Sequence, residues 1–145
     1  MHTRLLACAA VLAVAAAARA DCTVSVGALA FGAYDVFSGS PTDSTASITY
    51  SCSVPATAPT LSIGAGIAAS FSPRKIKSGG NSLSYNLYVD AARTSVWGDG
   101  TASTSTVACA MGTGLTATVY GRIFARQTGA TAGSYSDSVV VTISF

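Results

Sequence analysis

The chain has 145 residues, a formal net charge of +2 and a single histidine, His2. Arg4 and Arg19 lie in the first twenty residues, so the rest of the chain has no net formal charge and no electrostatic footprint for nucleic acid or an anionic membrane. Because His2 lies there too, residues 21–145 cannot build a Ser-His-Asp site, and they lack the Cys/His spacing of a metal site. The composition predicts a protein without enzymatic activity, cofactor or metal.

The first twenty residues are predicted to be a signal peptide. Arg4 gives a positively charged start, an apolar stretch runs from Leu5 to Ala18, and Ala18-Arg19-Ala20 fits the small-x-small pattern before a cleavage site. The apolar stretch is shorter than the roughly 20 residues of a membrane-spanning helix. We therefore expect an exported protein with no stable membrane anchor, in which residues 21–145 form one domain. A retained anchor is the alternative.

From Cys22 onward, short runs of alternating apolar and polar residues are separated by glycine-rich turns, which is typical of strands with one buried face. Abundant Ser, Thr and Val with few long helix formers also favour strands over helices. The predicted strands are, in chain order, 22–31, 46–54, 60–66, 82–90, 94–97, 114–125 and 134–145. This pattern predicts an all-β domain, an immunoglobulin-like β-sandwich, with a closed barrel as the alternative.

Three cysteines follow the predicted signal peptide, and an oxidising compartment would favour their pairing. Three pairings are open. Cys22–Cys52 is favoured, because Cys22 begins the first predicted strand and Cys52 lies near the end of the second, where antiparallel neighbours can meet. Cys109 would then be either a buried inert thiol or a reactive or intermolecular one.

Several polar and aromatic residues are candidates for surface positions. The cations Arg74, Lys75 and Lys77 are interpreted as part of a solvated loop rather than a basic patch. Trp97 and Tyr88 are candidate surface-binding residues. A lone tryptophan at a loop edge can stack a sugar, but a partly buried packing role is the favoured interpretation for Trp97. The aspartates lie beside Gly, Ser and Ala and are interpreted as turn formers rather than catalytic carboxylates.

The last predicted strand places Val139, Val141, Ile143 and Phe145 on one face. If the sandwich needs a further strand, it must come from outside the segments predicted above. An ordinary core strand of a complete sandwich is the alternative interpretation.

Several segments together resemble the spore coat protein U domain of archaic chaperone–usher pilus subunits and spore coats. They are CTVSVGALAFGAY (22–34), ITYSC (48–52), SPRKIKSGGNSLSYNLYVDAARTSVWGDGT (72–101), TVYGRI (118–123) and GSYSDSVVVTISF (133–145). The resemblance implies a pilin-type sandwich lacking its final strand, which a periplasmic chaperone supplies until an outer-membrane usher exchanges it for a strand of a neighbouring subunit. Val139, Val141, Ile143 and Phe145 would then contact the added strand or the chaperone.

The resemblance therefore implies a non-enzymatic subunit of a cell-surface pilus or spore coat, assembled by strand addition after export through the periplasm. Cleavage after Ala20 would leave only Asp21 before Cys22, too little for a donor arm, so an acceptor or tip subunit is expected. The alternative function is a surface adhesin or glycan-binding module that folds alone, with Trp97 and Tyr88 in its binding surface.

Overall fold

A computed structural model of the chain describes residues 21–53 and 57–145. The predicted signal peptide lies outside these residues. The described residues form strands and turns, and they include no helix long and apolar enough to cross a membrane.

Eight strands build two antiparallel sheets around one core, which confirms the predicted all-β fold. The strands are β1 (Cys22–Val26), β2 (Thr42–Cys52), β3 (Thr60–Ile63), β4 (Arg74–Ser78), β5 (Asn81–Tyr88), β6 (Val107–Ala108), β7 (Gly112–Ile123) and β8 (Val141–Ser144). The first sheet has the order β1-β2-β7-β5-β4 and the second has the order β6-β3-β8.

The core forms where the inner faces of the two sheets meet. It is built from apolar side chains at alternate strand positions, including Ile48, Leu61, Leu83, Val119 and Ile123. Burying these side chains is the main favourable contribution to folding. The alternation that predicted the strands therefore also predicts which face of each strand is buried.

The predicted disulfide is present. Cys22 and Cys52 lie directly opposite each other in the β1–β2 register, and their Sγ atoms are 2.05 Å apart. Cys109 keeps a free, half-buried thiol. The bridge closes the open end of the β1–β2 pair, where the two strands are furthest from their connecting turn.

The prediction of a solvated loop around Arg74 was wrong. Arg74 begins β4, and its side chain is fully buried, whereas Lys77 is exposed. The segment alternates like any other strand, with Arg74 and Ile76 turned inward. The arginine was misread because its charge suggested solvent, while the fold instead surrounds it with hydrogen-bond acceptors.

These acceptors come from both sheets. The Arg74 guanidinium donates to Gly64 O from Nε (3.0 Å) and from one terminal nitrogen (2.8 Å), and that nitrogen also reaches Trp97 O at 2.7 Å. The other terminal nitrogen donates to Asn86 Oδ1 on β5 at 2.8 Å. Burial lowers the pKa of Arg74. Arg74 therefore ties β4 and β5 to the end of β3 in the opposite sheet.

The proposed surface role of Trp97 and Tyr88 was also wrong. Trp97 has 0% of its surface exposed and Tyr88 has 7%. The segment 94–97 forms no regular strand; Val96 and Trp97 make only isolated bridges, to Tyr88 and Ser105. The Trp97 indole enters the core because its N–H finds a partner there, the carbonyl of Leu61 at 3.1 Å.

We expect Arg74→Met to destabilise the domain strongly, since the carbonyls of Gly64 and Trp97 would lose their donors and Asn86 Oδ1 would keep only the Leu87 N–H. Each such unsatisfied group costs about 1–3 kcal/mol. The measurement is the free energy of unfolding in urea. Lys77→Met, on the same strand but exposed, is the control and should stay near the wild type. Equal stability of the two variants would contradict the role assigned to Arg74.

Candidate binding groove

An open cavity of about 1070 Å³ lies between the two sheets. One wall is the segment 26–37 after β1, and the other is the segment 130–139 before β8. The floor consists of inner-face side chains that a closed sandwich would cover: Ile63, Ile76, Leu83, Tyr85, Leu87, Val119 and Ile123. The groove is therefore lined at its floor by side chains of the hydrophobic core, each of which keeps at most 7% of its surface exposed.

The first wall forms because the first predicted strand ends early. Residues 22–31 were predicted as one strand, but β1 ends at Val26. Val26 lies opposite the buried Ile48, and residues opposite each other on paired strands point to the same face. If β1 continued in this register, Leu29 and Phe31 would therefore point outward, into solvent. The backbone instead leaves β2 after Gly27, and both side chains pack against the core.

Gly121 on β7 makes room for this wall. A Cβ atom at Gly121 would lie 2.6 Å from Leu29 Cδ2 and 2.8 Å from Phe31 Cζ. The Phe31 ring also meets Tyr85 edge to face, with centroids 6.0 Å apart. The wall is thus held by two large side chains that fit only over a glycine.

The second wall crosses from one sheet to the other. Ser136 exchanges two backbone hydrogen bonds with Lys77 of β4, at 3.0 and 2.9 Å. Further along, Val140 O accepts from Gly64 N at 2.8 Å, and β8 then pairs with β3. The predicted strand 134–145 is regular only over Val141–Ser144 because its first half borders the groove and pairs with β4 only at Ser136.

The predicted alternation of the last strand is present. Val139, Val141 and Ile143 are half-buried and pack against the core, while Val140 and Thr142 are exposed. Val139 and Val141 also line the groove. Phe145 differs, because 52% of its surface is exposed and it does not belong to the packed set.

Both sheets present an unpaired edge on the groove side. β1 and β8 are each the last strand of their sheet, and they lie beside each other across the opening. In an antiparallel pair, the backbone N–H and C=O groups of every second residue point toward the partner strand. The backbone of Val140 points toward β3. The backbone groups of its odd-numbered neighbours therefore point away from β3, at Val139, Val141 and Ile143. In the described part of the chain no strand accepts these groups.

Two carboxylates line the groove: Asp35, which is exposed, and Asp137, which is half-buried. Asp137 Oδ2 accepts from the Tyr85 hydroxyl at 2.6 Å, and Oδ1 accepts from the backbone N–H groups of Ile67 and Ser138, each at 2.8 Å. Burial, together with this carboxylate, raises the pKa of Tyr85, so the tyrosine is the donor. The sequence analysis missed this role, since an aspartate between serines reads as a turn former.

Cys109 lies away from these groups. Burial raises the pKa of its thiol, which packs against the core and donates weakly to Val107 O at 3.9 Å. Among the described residues, no group of three or more His, Cys, Asp or Glu side chains could hold a metal ion.

We expect Gly121→Ala to destabilise the domain by about 1–3 kcal/mol, the usual cost of overpacking, because the new methyl group would collide with Leu29 and Phe31. Urea unfolding measures the effect. Gly129→Ala is the matched control, since an added Cβ there meets nothing within 4 Å. If both variants unfold at the same urea concentration, the first wall does not pack on β7 as described.

Comparison with known proteins places this geometry in a family. Residues 8–142 match the Spore Coat Protein U domain family. Among solved structures, a chain of the chaperone–tip adhesion subunit pre-assembly complex of the archaic chaperone-usher Csu pili of Acinetobacter baumannii has the same fold, with a TM-score of 0.55 and 22% identity. The match covers 87% of this chain and 40% of that one. A search of curated proteins found no match. The chain belongs to the Spore Coat Protein U domain family.

Proposed function

We propose that this chain is a non-enzymatic structural subunit of a chaperone–usher surface assembly, and that its groove accepts a β-strand from another protein. The observation that carries the proposal is the open groove, in which an apolar floor lies beside an unpaired strand edge. A strand added there pairs with the free backbone groups and places alternate side chains over the floor.

The polar groups of the groove favour a strand over a small molecule. The hydroxyls of Tyr34, Tyr85 and Tyr135 donate to Phe124 O, Asp137 and Thr131 O, so their protons are already used inside the domain. The groove instead offers unpaired backbone N–H and C=O groups along one side. The odd-numbered residues from Tyr135 to Ile143 face inward and are called here the inward row; the row continues from the second wall into β8. It is about 26 Å long at the rise of a strand, a length that nine residues of an added strand would cover.

Exposed apolar surface marks the same side of the domain. Val26 faces inward opposite the buried Ile48, yet 51% of its surface is exposed because nothing covers it from the groove. Phe37, in the same wall, is exposed as well. Exposed apolar side chains beside a free strand edge promote aggregation unless another chain covers them.

The proposed partners follow from this need for cover. A periplasmic chaperone would lend a strand during export, an outer-membrane usher would exchange it, and a neighbouring subunit would provide the permanent strand. The solved structure with the same fold is itself a complex of a chaperone with a pilus subunit. Export with cleavage after Ala20 is part of the proposal. In this assembly the subunit acts as an acceptor of a strand, because its groove has an unpaired strand edge.

The alternative function, a surface adhesin or glycan-binding module that folds alone, loses its sequence-based support. It relied on Trp97 and Tyr88 as a binding surface, and both side chains are buried. We therefore do not retain it.

The test uses a nine-residue peptide, called here the host peptide, with valine at positions 1, 3, 5, 7 and 9, threonine between them, and charged residues beyond both ends. We expect it to raise the free energy of unfolding of the purified domain by about 2.7 kcal/mol at one hundred times its Kd, as for any ligand of the native state alone. Urea unfolding with and without peptide gives the shift.

Two controls sharpen the result. Val141→Lys places a charge in the inward row and should abolish the shift, whereas Thr142→Lys lies on the exposed face of β8 and should keep it. Soluble periplasmic yield should also rise when a cognate chaperone is co-expressed. A domain that is stable alone and indifferent to both the peptide and the chaperone would overturn the proposal.

A further inference from the structure

We infer that Asp137 sets the register of the incoming strand, by requiring one hydrogen-bond-donating side chain in an otherwise apolar alternation. The inference rests on the proposed function and adds to it the chemistry of the partner strand. It concerns one position of that strand, the one that lies opposite Asp137 in the groove.

The first step is the position of Asp137 in the inward row. From 135 to 143, every odd-numbered residue is less exposed than its neighbours, and the row reads Tyr135, Asp137, Val139, Val141, Ile143. Residues opposite each other on paired strands point to the same face. In either direction of addition, each inward side chain of the new strand therefore meets one member of this row.

The second step concerns the remaining hydrogen-bonding capacity of the carboxylate. Its two oxygens offer about four acceptor sites. Three are used, by the Tyr85 hydroxyl and the backbone N–H groups of Ile67 and Ser138. No Lys or Arg forms an ion pair with Asp137 in the described part of the chain. One acceptor site, on Oδ2, thus has no protein donor among the described residues.

The third step is what strand addition does to that site. A strand that binds in the groove excludes water from this acceptor site. An apolar side chain opposite Asp137 then offers the carboxylate no hydrogen bond in its place. A buried charged group without full hydrogen bonding is unfavourable. A hydroxyl or amino group at that one position restores the missing bond. Opposite Val139, Val141 and Ile143 the row is apolar, so the same polar group has no partner there. Opposite Tyr135 it meets no carboxylate, and the tyrosine proton is already donated to Thr131 O.

The test compares serine with alanine in the host peptide, because the two side chains are close in size and differ by the hydroxyl. Each of the five inward valines is replaced singly by serine and by alanine, and affinity is measured by competition with a fluorescent host peptide. We expect serine to bind about tenfold more tightly than alanine at one position only, the usual effect of a hydrogen bond to a charged group. A nine-residue peptide pairs with the whole inward row. A peptide that shifts by two residues along the groove therefore loses one of its five inward side-chain pairs.

Two variants assign the preference to the carboxylate. Asp137→Val should remove it, so that valine or alanine at that position binds as well as serine. Tyr85→Phe removes a neighbouring hydroxyl but leaves the carboxylate, and should keep the preference. Because the peptide series is measured on the wild-type domain, the test does not depend on either variant folding.

The outcomes separate the two proposals. Peptides that bind with no serine preference at any position, or with a preference that survives Asp137→Val, would overturn the register inference and leave strand addition standing. A series in which no peptide binds would overturn both.

Discussion

The cross-sheet hydrogen bonds of Arg74 are the constraint on which the groove depends. Its guanidinium lies on β4 of one sheet and binds carbonyls at the end of β3 in the other. The N–H of the same residue, Gly64, donates to Val140 O just before β8 begins. Because a buried arginine is stable only when its donors are satisfied, these hydrogen bonds fix the end of β3, and with it the start of β8, relative to β4.

The sequence predicted the strands better than it predicted which charged or amphipathic side chains are buried. Period-two alternation identified the sheet-forming runs, and it also predicted that Val139, Val141 and Ile143 share the inner face. It failed where a charged or amphipathic side chain was buried. Arg74 and Trp97 lie inside because specific acceptors, Gly64 O and Leu61 O, are brought to them by strands distant in sequence. The residues next to Arg74 and Trp97 in the sequence do not indicate that these acceptors will be present.

The groove itself could be predicted only in part. The resemblance to a known family implied a missing strand, but the walls follow from two local events that composition does not reveal. The first strand stops at Val26 so that Leu29 and Phe31 can enter the core over Gly121, and Asp137 turns inward because Tyr85 and two backbone N–H groups meet it. Both depend on contacts between segments roughly 50 to 90 residues apart in sequence.

The half-buried Cys109 has a consequence for how the disulfide survives. Thiol–disulfide exchange requires a thiolate, and burial raises the pKa of Cys109 in the native fold. The native domain therefore protects the Cys22–Cys52 bridge from attack by its own third cysteine. Before folding, the thiol of Cys109 lacks this burial and competes for both partners, although the shorter loop between Cys22 and Cys52 favours the native pair. Folding then withdraws Cys109 from exchange and leaves the native bridge in place.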